Sequence, residues 1–255
     1  MLGFLSLLSR LRFGRREIDI SALAREQYLF PVAGFVIGAI VSIAALLLFE
    51  FAGQEVDILL ISLGVVLLLY FLTGLMHLEG LADFGDGLMA SGTRERKLQA
   101  MKDVSLGAAG VFFMVAAVMS LFLIIVNLDG WMQAPEPVFW MERIPLVFGL
   151  IVAEISAKLA MITVMTIGPS SHQGMGGVFV SVASSRKLVI GMAISLFIAF
   201  MLSGLYCVLV LIGIVAGVIV SAEARRHFGG VGGDSFGAAN ELGRILTLLA
   251  WVVVI

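Results

Sequence analysis

Charge is scarce in this sequence: Asp, Glu, Lys and Arg together make up 13% of its 255 residues, against 60% hydrophobic. There is a single cysteine, Cys207, set in an apolar run, so no intrachain disulfide can form and no thiolate cluster can bind zinc. Of three histidines, His77, His172 and His227, none forms an HExxH pair. The net charge of −2 comes with no basic domain to hold a phosphate backbone, which excludes nucleic acid as a partner. No Pro-rich or low-complexity linker and no internal repeat divides the chain, so one domain is expected across 1–255. The first residues, MLGFLSLLSR, put a short apolar run before the arginines, the reverse of the order in a secretory signal.

Long apolar runs are abundant, and the mean hydropathy is +1.10. That composition predicts an all-α, polytopic integral membrane bundle of about six or seven transmembrane helices. Runs near the length of a bilayer crossing fall at about 29–49, 57–76, 107–127, 146–167, 187–203, 205–222 and 240–255, with a turn at Ser203-Gly204. Segments 1–28, 77–106, 168–187 and 221–244 hold fourteen of the sixteen lysines and arginines. This bias predicts a multi-pass protein of the cell membrane, with its N-terminus and these segments in the cytoplasm. Residues 1–28 read either as an amphipathic segment on an anionic membrane face or as a flank of the first span.

Chemistry concentrates where charge does appear. The first loop, about 77–107, places Glu79, Asp83 and Asp86 within eight residues with no basic residue among them. On a helix this i, i+4, i+7 spacing stacks three carboxylates on one face, which is unfavourable unless something neutralises them. Either the face is simply solvated, or an oxygen-preferring divalent cation such as Mg²⁺ binds there. Asp103 is a helix cap or a further ligand, and Lys102 an interfacial anchor or a phosphate partner. A second loop, 229–241, surrounds Asp234 with glycines, Gly233 among them, and leads through Ser235, Asn240 and Glu241 into the last apolar run. Such turns expose N–H groups to phosphate oxygens, although a flexible connection uses the same letters. A third, 168–177, carries His172, a surface residue or a general base. Lys158 lies in a span one turn after Glu154, as an ion pair or a counter-charge for a substrate phosphate. Together these point to metal-assisted transfer of a phosphorus group from a diphosphate donor to an alcohol.

Three motifs in order carry a resemblance: His77-Leu-Glu-Gly-Leu-Ala-Asp83-Phe-Gly-Asp86-Gly, Met101-Lys102-Asp103 with Gly107 and Gly110, and Gly233-Asp234 through Gly237-Ala-Ala-Asn-Glu241. With Pro31-Val-Ala-Gly34 ahead of them, they resemble the cobalamin synthase family, adenosylcobinamide-GDP ribazoletransferase, in wording closest to archaeal members. The resemblance implies a Mg²⁺-dependent membrane enzyme that joins adenosylcobinamide-GDP to α-ribazole or its 5′-phosphate and releases GMP. It implies Glu79, Asp83, Asp86 and Asp234 as metal ligands, and Asp83, Asp86, Asp103 and His77 as catalytic residues. Lys102, Lys158, His172, Gly233, Asn240 and Glu241 would bind substrate, and a homo-oligomer is compatible with the pattern. Three positions depart from the family: Glu79 replaces an Asp, Lys158 and Ser171-His172 stand where arginines are common, and Arg244 replaces an acidic residue. Two alternatives use similar residues. A CDP-alcohol phosphotransferase shares the start of its DGxxAR pattern with Asp86-Gly-Leu-Met-Ala90, but Ser91 takes the arginine position. A cation-coupled transporter would need its carboxylates near the bilayer midplane.

Overall fold

Apolar runs of bilayer length can satisfy their own backbone polar groups without water only as helices. The computed structural model describes residues 2–10, 19–52, 55–130, 145–170 and 174–254; Ser171 and His172 lie outside the described residues, as do Arg12, Arg15, Arg16 and Arg143. The helices are α1 (Leu2–Leu8), α2 (Ile20–Arg25), α3 (Phe30–Ala52), α4 (Ile58–Thr73), α5 (Met76–Met89), α6 (Arg94–Met101), α7 (Ala108–Gly130), α8 (Pro145–Ile167), α9 (Met175–Ser181), α10 (Ser185–Ser203), α11 (Ile212–Phe228) and α12 (Gly233–Val254). Among the described residues there is no strand, only an isolated bridge between Ser170 and Val231. The all-α expectation holds.

Helix α8 is the axis of the bundle, and every residue from Gly149 to Met165 is buried. Small residues bring its neighbours close. Gly34 and Gly38 of α3 lie against the α8 backbone at Glu154 and Ile151, and Gly213 and Gly217 of α11 against Ser156 and Ala160. Such contacts suit a bilayer, where close packing replaces the hydrophobic drive between helices. The outer faces show large apolar side chains, among them Leu60, Leu67, Phe112, Leu123, Phe197 and Met201. That inside-out pattern is stable only against lipid.

Among the described residues five stretches can cross a membrane by length and composition, and six with the pair α4–α5 counted as one bent span. One of the five, Ser185–Phe228, consists of two legs. Gly191 of α10 opposes Ile162, while Ala199 packs in the cluster around Leu150 and Ile151. Hence α10 runs antiparallel to α8. Helix α11 runs parallel to it, from Gly213 at Ser156 to Arg225, whose guanidinium donates to the Ile167 carbonyl at 3.2 Å. The reversal expected at Ser203-Gly204 therefore occurs, with Gly204 at φ 57, a conformation that glycine adopts at no steric cost.

A second break shapes the site. Helix α4 stops at Gly74, whose φ is 71, and α5 departs at 93°. The Leu72 carbonyl, near the end of α4, accepts the Arg10 N–H at 2.7 Å, and the Thr73 hydroxyl donates to the Leu69 carbonyl at 2.9 Å. The first of these bonds ties the segment after α1 to the bend and satisfies a carbonyl that the helix terminus leaves open. We read α4 as the membrane leg and α5 as an arm outside the apolar layer.

The legs alternate in direction, so the starts of α3, α7, α10 and α12 and the ends of α4, α8 and α11 share one end of the bundle. All three motif loops sit there.

Candidate active site

Two glycines bring the first two motifs together. A Cβ at Gly237 would meet the His77 carbonyl at 2.7 Å, and one at Gly80 would meet the Asp234 Cα at 3.1 Å. Helices α5 and α12 thus cross almost backbone to backbone, which sets Glu79 and Asp83 beside Asp234. The third motif docks on the second: Val231 N–H donates to the Pro169 carbonyl at 2.7 Å, and Gly176 lies 2.8 Å, measured from an added Cβ, from the Gly233 nitrogen.

Between them is a cavity of about 280 Å³. Glu79, Asp83, Gly233 and Asp234 line its polar side, at the N-terminus of α12. The first N–H groups of a long helix carry partial positive charge, which suits the oxygens of a phosphate. The other side is apolar: Leu7, Leu8, Phe30, Met161, Met165 and Phe179. His77 stands between the halves, 3% exposed. Among the described residues neither of its ring nitrogens has a hydrogen-bond partner.

Electrostatics single out Asp83 on the polar side. Burial, then Asp234, Glu79 and Asp86 in that order, push the Asp83 carboxyl up to about 6. A cation would reverse the repulsive part of that shift. Among the described residues no group of three His, Cys, Asp or Glu side chains stands ready to hold an ion. Mg²⁺ does not ask for one: it usually takes one or two carboxylates together with substrate phosphates and water. The oxygen-only donors Glu79, Asp83 and Asp234 fit that pattern, with the substrate completing the shell.

Several expected site residues are elsewhere. Both Asp86 oxygens turn away from the cavity and accept the N–H groups of Gly107 and Gly110, each at 2.8 Å. These open the first turn of α7, so Asp86 caps that helix from outside. The three carboxylates share the α5 face as expected, but unsatisfied amide donors at its far end claim the third. Asp103 is exposed and accepts the Ser105 N–H at 2.9 Å in a local turn. Neighbouring Lys102 is exposed as well. Neither lines the cavity.

Lys158, Asn240 and Glu241 are also not free to bind substrate. Lys158 Nζ donates to Asn240 Oδ1 at 2.6 Å and to Glu154 Oε2 at 3.2 Å. Asn240 Nδ2 donates to Glu241 Oε1 at 3.1 Å. Arg244 Nη1 bridges both Glu241 oxygens at 2.7 Å, and Arg244 Nε donates to Glu154 Oε1. Tyr70 OH completes the set on Glu241 Oε2 at 3.0 Å. The four charged members are at most 2% exposed. At that depth charges must pair, and these pair with each other. Arg244, assigned by its sequence position to a surface segment, lies inside the bundle for this reason.

Residues 233–237, GDSFG, share the letters of a GxSxG nucleophile turn. Ser235 is 1% exposed, its oxygen accepts the Gly232 N–H at 3.3 Å, and no strand precedes it among the described residues. It is a helix-start residue rather than a nucleophile.

The apolar wall escaped sequence reading because Met161 and Met165 repeat at helical spacing, as any core position does. Leu7 and Leu8 reach the cavity only through the docking of α1.

The family described as Cobalamin-5-phosphate synthase matches residues 1–252. Curated relatives named "Adenosylcobinamide-GDP ribazoletransferase" are similar over most of the chain. That of Methanococcoides burtonii is 33% identical over 264 residues, covering 99% of this chain and 90% of its own. That of Methanocella arvoryzae is 35% identical over 252 residues, covering 90% and 86%. That of Thermococcus gammatolerans is 37% identical over 189 residues, covering 72% and 73%. No solved structure matches.

Proposed function

The chain belongs to the cobalamin-5-phosphate synthase family, and on that premise we propose that it is an adenosylcobinamide-GDP ribazoletransferase. It transfers adenosylcobinamide phosphate from adenosylcobinamide-GDP to α-ribazole or its 5′-phosphate, in the last stage of cobalamin assembly. The observation that carries this reading is the cavity lined by Glu79, Asp83 and Asp234, where burial and the neighbouring carboxylates push Asp83 up. A diphosphate with its Mg²⁺ is a ligand that would relieve that repulsion.

A ribose hydroxyl of the acceptor attacks the phosphorus joined to cobinamide. The new P–O bond forms as the bond to the bridging oxygen of GDP breaks, and GMP leaves with that oxygen. Mg²⁺, when bound, neutralises the diphosphate and stabilises the charge on the leaving oxygen. Asp83 and Asp234 would hold it, with Glu79 at the exposed rim. The α12 N–H groups from Gly233 onward orient the phosphoryl oxygens. His77, which lines the cavity, accepts the hydroxyl hydrogen bond through a ring nitrogen. Asp86 is a positioning residue that fixes α5 on α7.

Transport is the weaker reading. It asks for ion-binding carboxylates in the membrane interior, and the interior ones, Glu154 and Glu241, are already neutralised by Lys158 and Arg244. The bias of Lys and Arg toward the cavity end supports a cytoplasmic site.

The test is GMP release from adenosylcobinamide-GDP and α-ribazole by the purified protein in detergent or vesicles. We expect turnover with Mg²⁺ and none with EDTA. Absence of GMP under both conditions rejects the reading.

A further inference from the structure

The cavity has two halves, and the phosphates account for only one. Its apolar half is formed by Leu8, Phe30, Met161, Met165 and Phe179, each no more than 5% exposed, with the more open Met175 at its edge. Met161 and Met165 are successive turns of α8, so their thioethers stack along one wall. Phe30 and Phe179 meet at a ring distance of 5.7 Å and an angle of 60°. Met and Phe walls suit a flat aromatic ring.

Size decides which part of the substrates enters. A cavity of about 280 Å³ is at the small end of the roughly 300–1,000 Å³ that holds a small organic ligand. It is far too small for a corrinoid, which must stay outside. The adenine of the adenosyl group stays outside with the corrinoid that carries it, which leaves two aromatic bases, the guanine of the donor and the base of the acceptor nucleoside. Guanine presents ring and amino N–H donors and a carbonyl acceptor, and burying these against Leu, Met and Phe leaves them unpaired, which is costly. The ring of α-ribazole is a dimethylated benzimidazole with one unsubstituted ring nitrogen and an otherwise apolar edge. His77 supplies the second observation: it is buried at the junction of the halves, and among the described residues both its nitrogens lack partners. A polar group left open there awaits a ligand.

We propose that the apolar half of this cavity is the subsite for the base of the acceptor nucleoside, selecting a benzimidazole-type ring over a purine. The inference rests on the transfer reaction above for the identity of the acceptor. The ribose then spans the His77 position, and its hydroxyl reaches the carboxylate side.

The test compares α-ribazole with the α-linked adenine nucleoside as acceptor. The wild type should favour α-ribazole by at least about tenfold in kcat/KM, the scale of discrimination by apolar contacts. Met165→Gln should raise the KM for α-ribazole about tenfold and narrow that preference, leaving the KM for adenosylcobinamide-GDP unchanged. Met175→Gln, at a half-exposed edge where folding is not at risk, should act in the same direction more weakly. Equal use of the two nucleosides by the wild type overturns the proposal, as does a rise confined to the donor KM. Equilibrium dialysis of α-ribazole against the full-length protein, without donor or metal, separates this inference from the reaction. Binding that Met165→Gln and Met175→Gln weaken, in a protein that releases no GMP, keeps the subsite and rejects the transfer. GMP release with α-ribazole binding that is absent, or unchanged by both substitutions, rejects the subsite alone.

Discussion

Two acidic clusters in this molecule, less than a helix apart, have opposite fates. In the membrane interior Glu154 and Glu241 meet Lys158 and Arg244, the formal charges cancel, and Asn240 and Tyr70 add hydrogen bonds to Lys158 and Glu241. At the end of the bundle Glu79, Asp83 and Asp234 line a cavity, and burial with the neighbouring carboxylates pushes Asp83 up to about 6. The first cluster is complete without a ligand, so it is architecture that locks α4, α8 and α12 together. The second lines a cavity and holds Asp83 under like-charge repulsion, which is why we place the site there. Residue type does not separate the two; the surroundings of each carboxylate do.

Substitutions should respect that division. The largest effect on turnover is expected from Asp83→Asn or Asp234→Asn. Each should lower the rate of GMP release by about a hundredfold or more, the scale of losing one charge-stabilising group, while the protein still folds into membranes. Near-normal rates in both would move the metal site elsewhere.

In the interior cluster the signature reverses. Glu154→Ala leaves two buried cations facing one carboxylate and should cost about 3–5 kcal/mol of stability. It would be read as a lower melting temperature in detergent and a poor yield of folded protein. Replacing Glu154 and Arg244 together by apolar residues should recover part of that loss. A full loss of GMP release in a normally stable Glu154→Ala protein would instead place this cluster in catalysis.

The pH dependence probes the open cluster directly. A carboxyl raised from 3.8 to about 6 in the fold binds its proton more tightly when folded than unfolded. Without metal, stability should therefore fall as pH rises from about 4 to about 6 and then level off. Asp83→Asn should flatten that part of the melting curve, and Mg²⁺ with the donor should shift it to lower pH. Activity should rise through the same region as the carboxylate ionises. A metal-free melting profile identical in wild type and Asp83→Asn would contradict the assignment.

Smaller effects mark the rim of the comparison. Asp86→Asn removes one charged acceptor from the start of α7 and should cost about 1.5–3 kcal/mol, with a milder loss of turnover than Asp83→Asn. Asp103→Ala and Lys102→Ala, both at exposed positions, should change stability by less than about 0.5 kcal/mol and leave the KM of both substrates unchanged. A hundredfold loss in Asp103→Ala would return it to the reacting centre.

Much of this was legible in order along the chain. The apolar runs and the reversal at Gly204 follow from patterns within about 20 residues, the shared end of the motif loops follows from the Lys and Arg bias along the chain, and the grouping of Asp83 with Asp234 follows only from the family resemblance. Asp86 and Asp83 were not separable that way, because both lie on one face of α5 and only the position of the α7 start assigns the first to capping. Lys158 and Glu241 read as substrate ligands for a similar reason. Each has a charged partner one turn away, Glu154 and Arg244, but the bonds that close the cluster reach 82 and 171 residues along the chain, to Asn240 and Tyr70, and no local spacing encodes that distance.

By itself, then, the sequence determined that the chain is a helical membrane bundle with carboxylates and glycine turns at one end, since hydropathy and helical periodicity act locally. Tertiary structure decided which carboxylates stay open. A charge is silenced by whatever partner packs within hydrogen-bond reach, and that partner is chosen by the crossing of helices remote in the chain.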